Sequence, residues 1–269
     1  MSPQSDGRLH GPDPVQDRSP RMARFFSGVM RRQMSGAFRA VRVLRPGVPE
    51  LDTGRPTIVL MNHPSWWDPA FALVLADRLF PGRQPFAPME AEALEKYPFM
   101  RRIGVFGVES EARRGARRFL AVSRRVLADP ARMLWITAQG TFSDPRQRPV
   151  RLRPGAAHLM SRMPDAVALP LAVEYPFWSE KRPEALAAFG APLDGRELGT
   201  SRDWTGRLET ALTATMDRLA AGALGRDPAT FERIASGRAG VGGVYGAFSR
   251  LRALTGGRRY VPDHMEDRT

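Results

Sequence analysis

Apolar residues fall in short runs along this chain, and polar breaks carrying proline or glycine separate them. Thr57-Ile58-Val59-Leu60-Met61 and Met133-Leu134-Trp135-Ile136-Thr137 are continuous apolar runs. Runs of that length, rich in branched residues, predict buried strands. Residues 166–174 predict a third such strand around Ala168-Leu169-Pro170-Leu171-Ala172-Val173. Shorter strands are expected at 84–88, 103–108 and 186–189. Between them the period changes to that of a helix. Residues 69–80 place Ala70, Phe71, Leu73, Val74 and Leu75 inward, and residues 111–127 place Phe119, Val122, Val126 and Leu127 on one face. Further helices are expected at 90–96, 155–163 and 204–221. The alternation predicts the α/β class: a mixed, largely parallel sheet flanked by helices.

The two ends of the chain read differently. Residues 1–20 are polar and contain proline, which predicts a disordered leader. In residues 21–45, Met22, Phe25, Phe26, Val29, Met30, Met34, Phe38, Val41 and Leu44 recur at three- and four-residue steps, accompanied by Arg21, Arg24, Arg31, Arg32, Arg39, Arg42 and Arg45. That spacing predicts a basic amphipathic helix, suited either to a membrane surface or to packing against the domain. Residues 226–269 carry a run of glycines from Gly237 onward, and a short basic amphipathic piece at 244–254. Glycine weakens helices, so this extension is expected to be largely irregular.

Composition narrows the classes. A chain of 269 residues is long enough for one domain with tails, and 42% hydrophobic residues supply a core. The net charge of +13 implies an anionic partner surface. Only Lys96 and Lys181 are lysines, so the charge is almost wholly arginine. The chain has no cysteine, which excludes disulfides and thiolate chemistry. It has no apolar run long enough for a transmembrane helix, and its first residues lack the apolar core of a signal peptide. No Walker loop, zinc spacing, calcium loop or nucleic-acid-binding motif is visible, so no metal and no nucleic acid are expected.

Chemistry concentrates after the first buried run, at Asn62-His63-Pro64-Ser65-Trp66-Trp67-Asp68-Pro69. Neutral imidazole accepts a proton near pH 7, and a carboxylate on its other ring nitrogen fixes the tautomer. His63 and Asp68, in a loop at a strand's end, therefore fit a general base with its orienting acid. The second apolar run ends in Ala138-Gln139-Gly140-Thr141-Phe142-Ser143-Asp144, another polar turn. Two strands ending in such turns fit a site lying beyond the strand ends of an α/β sheet. His158 on a helix reads as a packing or capping residue. Glu174, Tyr175 and Trp178 follow the third run and are placed to line the site, with ordinary packing as the default for both aromatics.

In these segments the chain resembles the lysophospholipid acyltransferase family, the PlsC-type glycerolipid acyltransferases. That family's first motif, N-H-x-x-x-x-D, is matched by Asn62, His63 and Asp68. Its third motif, usually F-P-E-G-T-R-S, aligns with Thr137-Ala138-Gln139-Gly140-Thr141-Phe142-Ser143, and its fourth, a proline in an apolar strand, with Leu169-Pro170-Leu171. The resemblance covers about residues 35–215 and implies an acyltransferase domain over residues 46–225, with a glycerolipid acyltransferase-like fold. It implies transfer of a fatty-acyl group from acyl-CoA or acyl carrier protein to a lipid hydroxyl. His63 would be the base, Asp68 its partner, and Asn62, Gln139, Gly140, Thr141, Arg146 and Arg148 substrate-binding residues. The N–H groups near Gly140 and Thr141 would stabilise the oxyanion. A thioester is already activated, so no metal or other cofactor is required. The expected setting is peripheral, on the cytoplasmic face of the inner membrane, against anionic lipid.

The chain also departs from the family. The second motif normally ends in arginine, but Gly104 to Ser110 puts Ser110 there, and the third motif's glutamate and arginine are Gln139 and Phe142. In the family those groups are linked to binding the acceptor's glycerol phosphate, and arginine is the side chain suited to bidentate phosphate contacts. Either nearby arginines (Arg113, Arg114, Arg146, Arg148, Arg151, Arg153) substitute, or the acceptor carries no phosphate and Gln139 with Phe142 shapes a different site. The same departures leave open a non-catalytic lipid-binding protein of this fold.

Overall fold

The structure is a computed structural model that describes residues 12–109 and 113–237. The strands predicted from the apolar runs form at Thr57–Met61 (β2), Arg132–Thr137 (β5) and Val167–Glu174 (β6). Added to these are Ala40–Leu44 (β1), Gln84–Glu90 (β3), Val105–Val108 (β4), Ala185–Phe189 (β7), Leu193–Asp194 (β8) and Phe231–Ser236 (β9). They join in one sheet of order β4-β3-β5-β2-β6-β7-β1-β9, with β8 on β6. β4, β3, β5, β2 and β6 run parallel. β7 pairs antiparallel with β6, and β9 antiparallel with β1. The sheet is mixed and largely parallel, as the sequence predicts.

Residues alternate between two cores because successive strand side chains point to opposite faces. Ile58, Leu60, Leu134 and Ile136 face one side, beneath Arg113–Leu127 (α5), Gly155–Met160 (α6) and Ser201–Gly225 (α7). Val59, Met61, Met133, Trp135, Leu169 and Leu171 face the other, beneath Pro20–Ala37 (α2) and Asp68–Leu79 (α3). Two short helices complete the set, Pro14–Asp17 (α1) and Ala91–Lys96 (α4), with a 3₁₀ segment at Pro98–Ile103.

Proline in a central strand removes a ladder donor. Pro170 is nevertheless central in β6, opposite Leu60. Its carbonyl accepts from Gly190 just past the end of β7, so its nitrogen also faces that side. There β7 pairing begins at Leu171 and β8 pairing ends at Ala168, and the missing N–H falls in the gap between them.

Three expectations about the ends need correction. The leader is ordered from residue 12 onward. Asp13 caps α1 by accepting from Val15 N–H, with Pro14 at the first helical position, and Ser19 caps α2. Those start signals nucleate helices in a stretch too polar to suggest a core. The Ser19 amide also donates to the Arg102 carbonyl at 2.8 Å. Secondly, the N-terminal helix stops at Ala37 and does not reach residue 45. Gly36 is a poor helix former, and residues 40–44 gain backbone partners from β7 and β9 together. All five residues of β1 are buried. Arg39 and Arg42, counted as part of a basic face, are interior; Arg42 pairs with Glu184 at 3.0 Å. Thirdly, residues 228–236 are not irregular: Pro228–Thr230 is a 3₁₀ turn and 231–236 is the sheet strand β9. Ser110, the glycines from Gly240 onward and the 244–254 segment lie outside the described residues.

The apolar face of α2 divides in two. Its C-terminal half packs inward, with Met34 fully buried and Met30 and Ala37 against the α3-side core. Its N-terminal half presents Phe25 in the open, edge-on to Phe26, which stacks on Phe99 at 4.7 Å. Among the described residues no helix is long and apolar enough to cross a membrane.

Candidate active site

The site lies where the parallel strands β2 and β5 end and the chain turns. Asn62 follows β2 and is buried. Its Nδ2 donates to the Val173 carbonyl (3.0 Å) and its Oδ1 accepts from the Val173 N–H (2.8 Å). The side chain thus imitates one more rung between β2 and β6, fixing where the chain leaves the sheet. The expectation that Asn62 binds substrate is corrected on that ground: both polar groups of its amide are taken by one backbone residue.

His63 comes next and is half-buried. Its Nδ1 lies 2.6 Å from Asp68 Oδ2. Asp68 begins α3 and has no exposed surface. Its Oδ2 also accepts from the Ser65 N–H at 3.1 Å, and its Oδ1 accepts from the Tyr175 hydroxyl at 2.7 Å. Every neighbour of the carboxylate is a donor, which fits the ionised form and places the imidazole proton on Nδ1. Nε2 is left as the acceptor. Burial, with the negative Asp68 beside it, pushes the Tyr175 hydroxyl well above its ordinary range, so Tyr175 stays a donor.

The third-motif turn holds His63 from the other side. Gln139 Oε1 accepts from the His63 N–H (3.0 Å), and the His63 carbonyl accepts from the Ser143 N–H (2.9 Å). Both backbone groups of His63 are therefore tied to one loop, and the Gln139 amide oxygen is engaged by His63. The Phe142 ring lies 4.4 Å from the imidazole, tilted by 37°, while remaining largely exposed. It forms an apolar wall beside the imidazole at the third-motif position where an arginine is usual.

Gly140 has φ +72°, a conformation that favours glycine. Its N–H donates to the Thr137 carbonyl at 3.0 Å, which closes the turn and removes that amide from the oxyanion role expected of it. Thr141 is exposed in the same loop.

Most of the nearby arginines already have acidic partners. Arg146 is bidentate to Asp144 (2.7 and 2.9 Å), Arg148 binds Asp217 of α7 (2.5 and 3.0 Å), and Arg151 binds Glu209 (3.3 Å). Arg114 lies 3.5 Å from Glu109, and the Arg113 side chain is outside the described residues. Arg153 differs. It is exposed and has no acidic partner among the described residues. Its side chain crosses Gly140 so closely that a Cβ there would overlap it. Its own N–H donates to the Ala138 carbonyl at 2.8 Å, which fixes it to the third-motif strand end.

Burial pushes the half-buried Glu174 carboxyl up, with Arg146 opposing the shift. Trp178 points away from the site, donating from its indole to the Ala223 carbonyl (3.0 Å), and His158 binds Ser201 Oγ (2.8 Å) at the start of α7. Tyr175 is the site residue whose role the sequence left unassigned. Among the described residues no cluster of acidic and histidine side chains is arranged to hold a metal ion.

A buried acid hydrogen-bonded to a histidine, set in a turn at the ends of parallel strands, is the candidate site of an α/β fold. The chain belongs to the Acyltransferase family, whose sequence model matches residues 29–174, and it is an acyltransferase. Its fold is similar to that of the 1-acyl-sn-glycerophosphate (LPA) acyltransferase PlsC from Thermotoga maritima, with TM-score 0.56 and 14% sequence identity over 74% of this chain and 80% of that one. No curated protein matches it by sequence.

Proposed function

We propose that the protein moves a fatty-acyl group from an acyl thioester, on coenzyme A or acyl carrier protein, to a hydroxyl of a membrane lipid. The observation that carries this reading is the His63–Asp68 contact of 2.6 Å, which leaves Nε2 as the base. In the proposed step, Nε2 takes the hydroxyl proton as the acceptor oxygen attacks the thioester carbonyl. The carbon–sulfur bond then breaks, and the departing thiolate takes that proton back from His63. The thioester supplies the activation, so the reading asks for no metal.

An acceptor in a membrane requires the enzyme to reach the bilayer surface. The exposed Phe25 and its neighbours, the arginine-rich α2 and the net charge of +13 support a peripheral setting on anionic lipid at the cytoplasmic face. Incubating the purified chain with labelled acyl-CoA or acyl carrier protein and a panel of hydroxylated lipids tests the reading. Label is expected in the acceptor. Thioester hydrolysis without transfer to any lipid would reject it.

Arg153 favours an acceptor with an anionic group. A guanidinium held on the Gly140 turn without an acidic partner is available to a phosphate, whereas Arg146 and Arg148 would first have to leave Asp144 and Asp217. A hydrogen bond to a charged group contributes about 1.5–3 kcal/mol, or roughly 10- to 150-fold. Arg153→Gln is therefore expected to raise KM for lysophosphatidate by about that factor while leaving KM for monoacylglycerol unchanged. Equal effects on both acceptors would make Arg153 a structural residue and favour an acceptor without phosphate.

A further inference from the structure

A second basic feature lies away from the dyad. An open cleft of about 540 Å³ sits between α2, the end of α3 and the edge strand β9. Its floor is small: Gly28 and Ser35 of α2, with open space where a Cβ of Gly28 would stand. Its walls are cationic. Arg31 and Arg32 come from α2 and Arg78 from α3, and none of these three has an acidic partner among the described residues. Arg233 of β9 also lines the cleft, and no acidic residue does. Arg78 lies ten residues along α3 from Asp68, roughly 15 Å at helical rise. The cleft is separate from the catalytic centre.

Its setting suggests the ligand. Phe25, Gly28, Arg32 and Ser35 recur at three- and four-residue steps and share one stripe of α2. One turn toward the N-terminus from the cleft, the same stripe carries the exposed Phe25. An occupant would meet guanidinium groups at one end and an aromatic ring at the other. Arginines on two helices converging on one point suit the oxygens of a phosphate diester, and the Phe25 end suits a hydrocarbon chain.

We infer that this cleft binds the phosphate headgroup of an anionic phospholipid, with the lipid's chains leaving past Gly28 toward Phe25. A solvated basic face of α2 alone would not involve Arg78. The inference does not depend on which acyl acceptor the catalytic site uses.

The test compares two charge-matched variants of the full chain: Arg32→Gln with Arg78→Gln in the cleft, and Arg21→Gln with Arg24→Gln on the same helix outside it. Binding is measured to vesicles of equal parts phosphatidylcholine and phosphatidylglycerol. The cleft pair should weaken binding at least about tenfold more than the control pair, as expected when specific charged contacts are lost. Equal losses would show diffuse attraction and overturn the inference. Short-chain phosphatidylglycerol, kept below its micelle concentration, should bind the wild-type chain and not the cleft variant. If inorganic phosphate competes as well as that lipid, the site reads a soluble anion and the lipid assignment fails. All four substituted arginines are exposed, so both variants should fold, and matching thermal melts would verify it.

Discussion

Replacing His63 with alanine should lower kcat/KM for acyl transfer by about 100- to 10,000-fold, the usual contribution of a positioned general base. The fold should survive. The imidazole is half-buried, its side-chain hydrogen bond is the one to Asp68, and its backbone ties to Gln139 and Ser143 do not involve the ring. Removing the ring leaves Asp68 with its Ser65 and Tyr175 donors, so the buried carboxylate is not orphaned. The check is the transfer rate with saturating thioester, alongside the thermal melt. Activity near wild type in a folded variant would sink the base assignment. A collapsed melt would instead make His63 a structural residue, and His63→Gln, which can still hydrogen-bond Asp68, would then separate the two roles.

Much of this site was legible from local sequence, and the reason is geometric. His63 and Asp68 lie five positions apart, between the end of β2 and the first residue of α3, so they were readable from spacing once an apolar run marked the preceding strand. The third-motif turn was readable for the same reason. What the sequence could not place was anything set by the register between distant strands. Tyr175 reaches Asp68 only because β6 pairs with β2 from Thr57–Val167 to Met61–Leu171, which brings the two strand ends together. The family resemblance implied Asn62 as a substrate contact, yet the same register runs it alongside β6, where its side chain reaches the Val173 backbone and becomes a strand tie. The N-terminal segment misled for a different reason. A helical period continued through Val41 and Leu44, but five residues of strand buried on both sides gained sheet partners that periodicity does not report.

The divided character of the site also has a physical reading. Motif positions around His63 are filled by residues that hydrogen-bond it, Gln139 included, because a neutral amide oxygen accepts the His63 N–H as a carboxylate oxygen would. The third-motif cation position is filled by Phe142, which adds an apolar wall. Charge near the turn then comes from Arg153, on the segment leading into α6. The glycine of the turn permits this, since a side chain at 140 would displace the guanidinium.

Asp68→Asn should lower activity by about 10³- to 10⁴-fold although it changes few atoms, by the logic that holds for the acid of a Ser-His-Asp triad. Asp68 accepts three hydrogen bonds, from His63 Nδ1, Ser65 N–H and Tyr175 Oη. An amide has one accepting oxygen. If that oxygen keeps Tyr175, the new NH₂ faces the Ser65 N–H and the imidazole, and His63 must accept at Nδ1. Its proton then moves to Nε2, the atom that should receive the substrate proton. If the oxygen turns to His63 and Ser65, the NH₂ faces a Tyr175 hydroxyl, which must rotate and give up its acceptor. The first arrangement inactivates the base, and the second leaves the imidazolium without its counter-charge. Nitrogen NMR of the ring reports which nitrogen carries the proton. A shift toward Nε2–H together with the rate loss supports the orienting role. Full activity with the wild-type tautomer would show that the Asp68 charge is not needed for transfer.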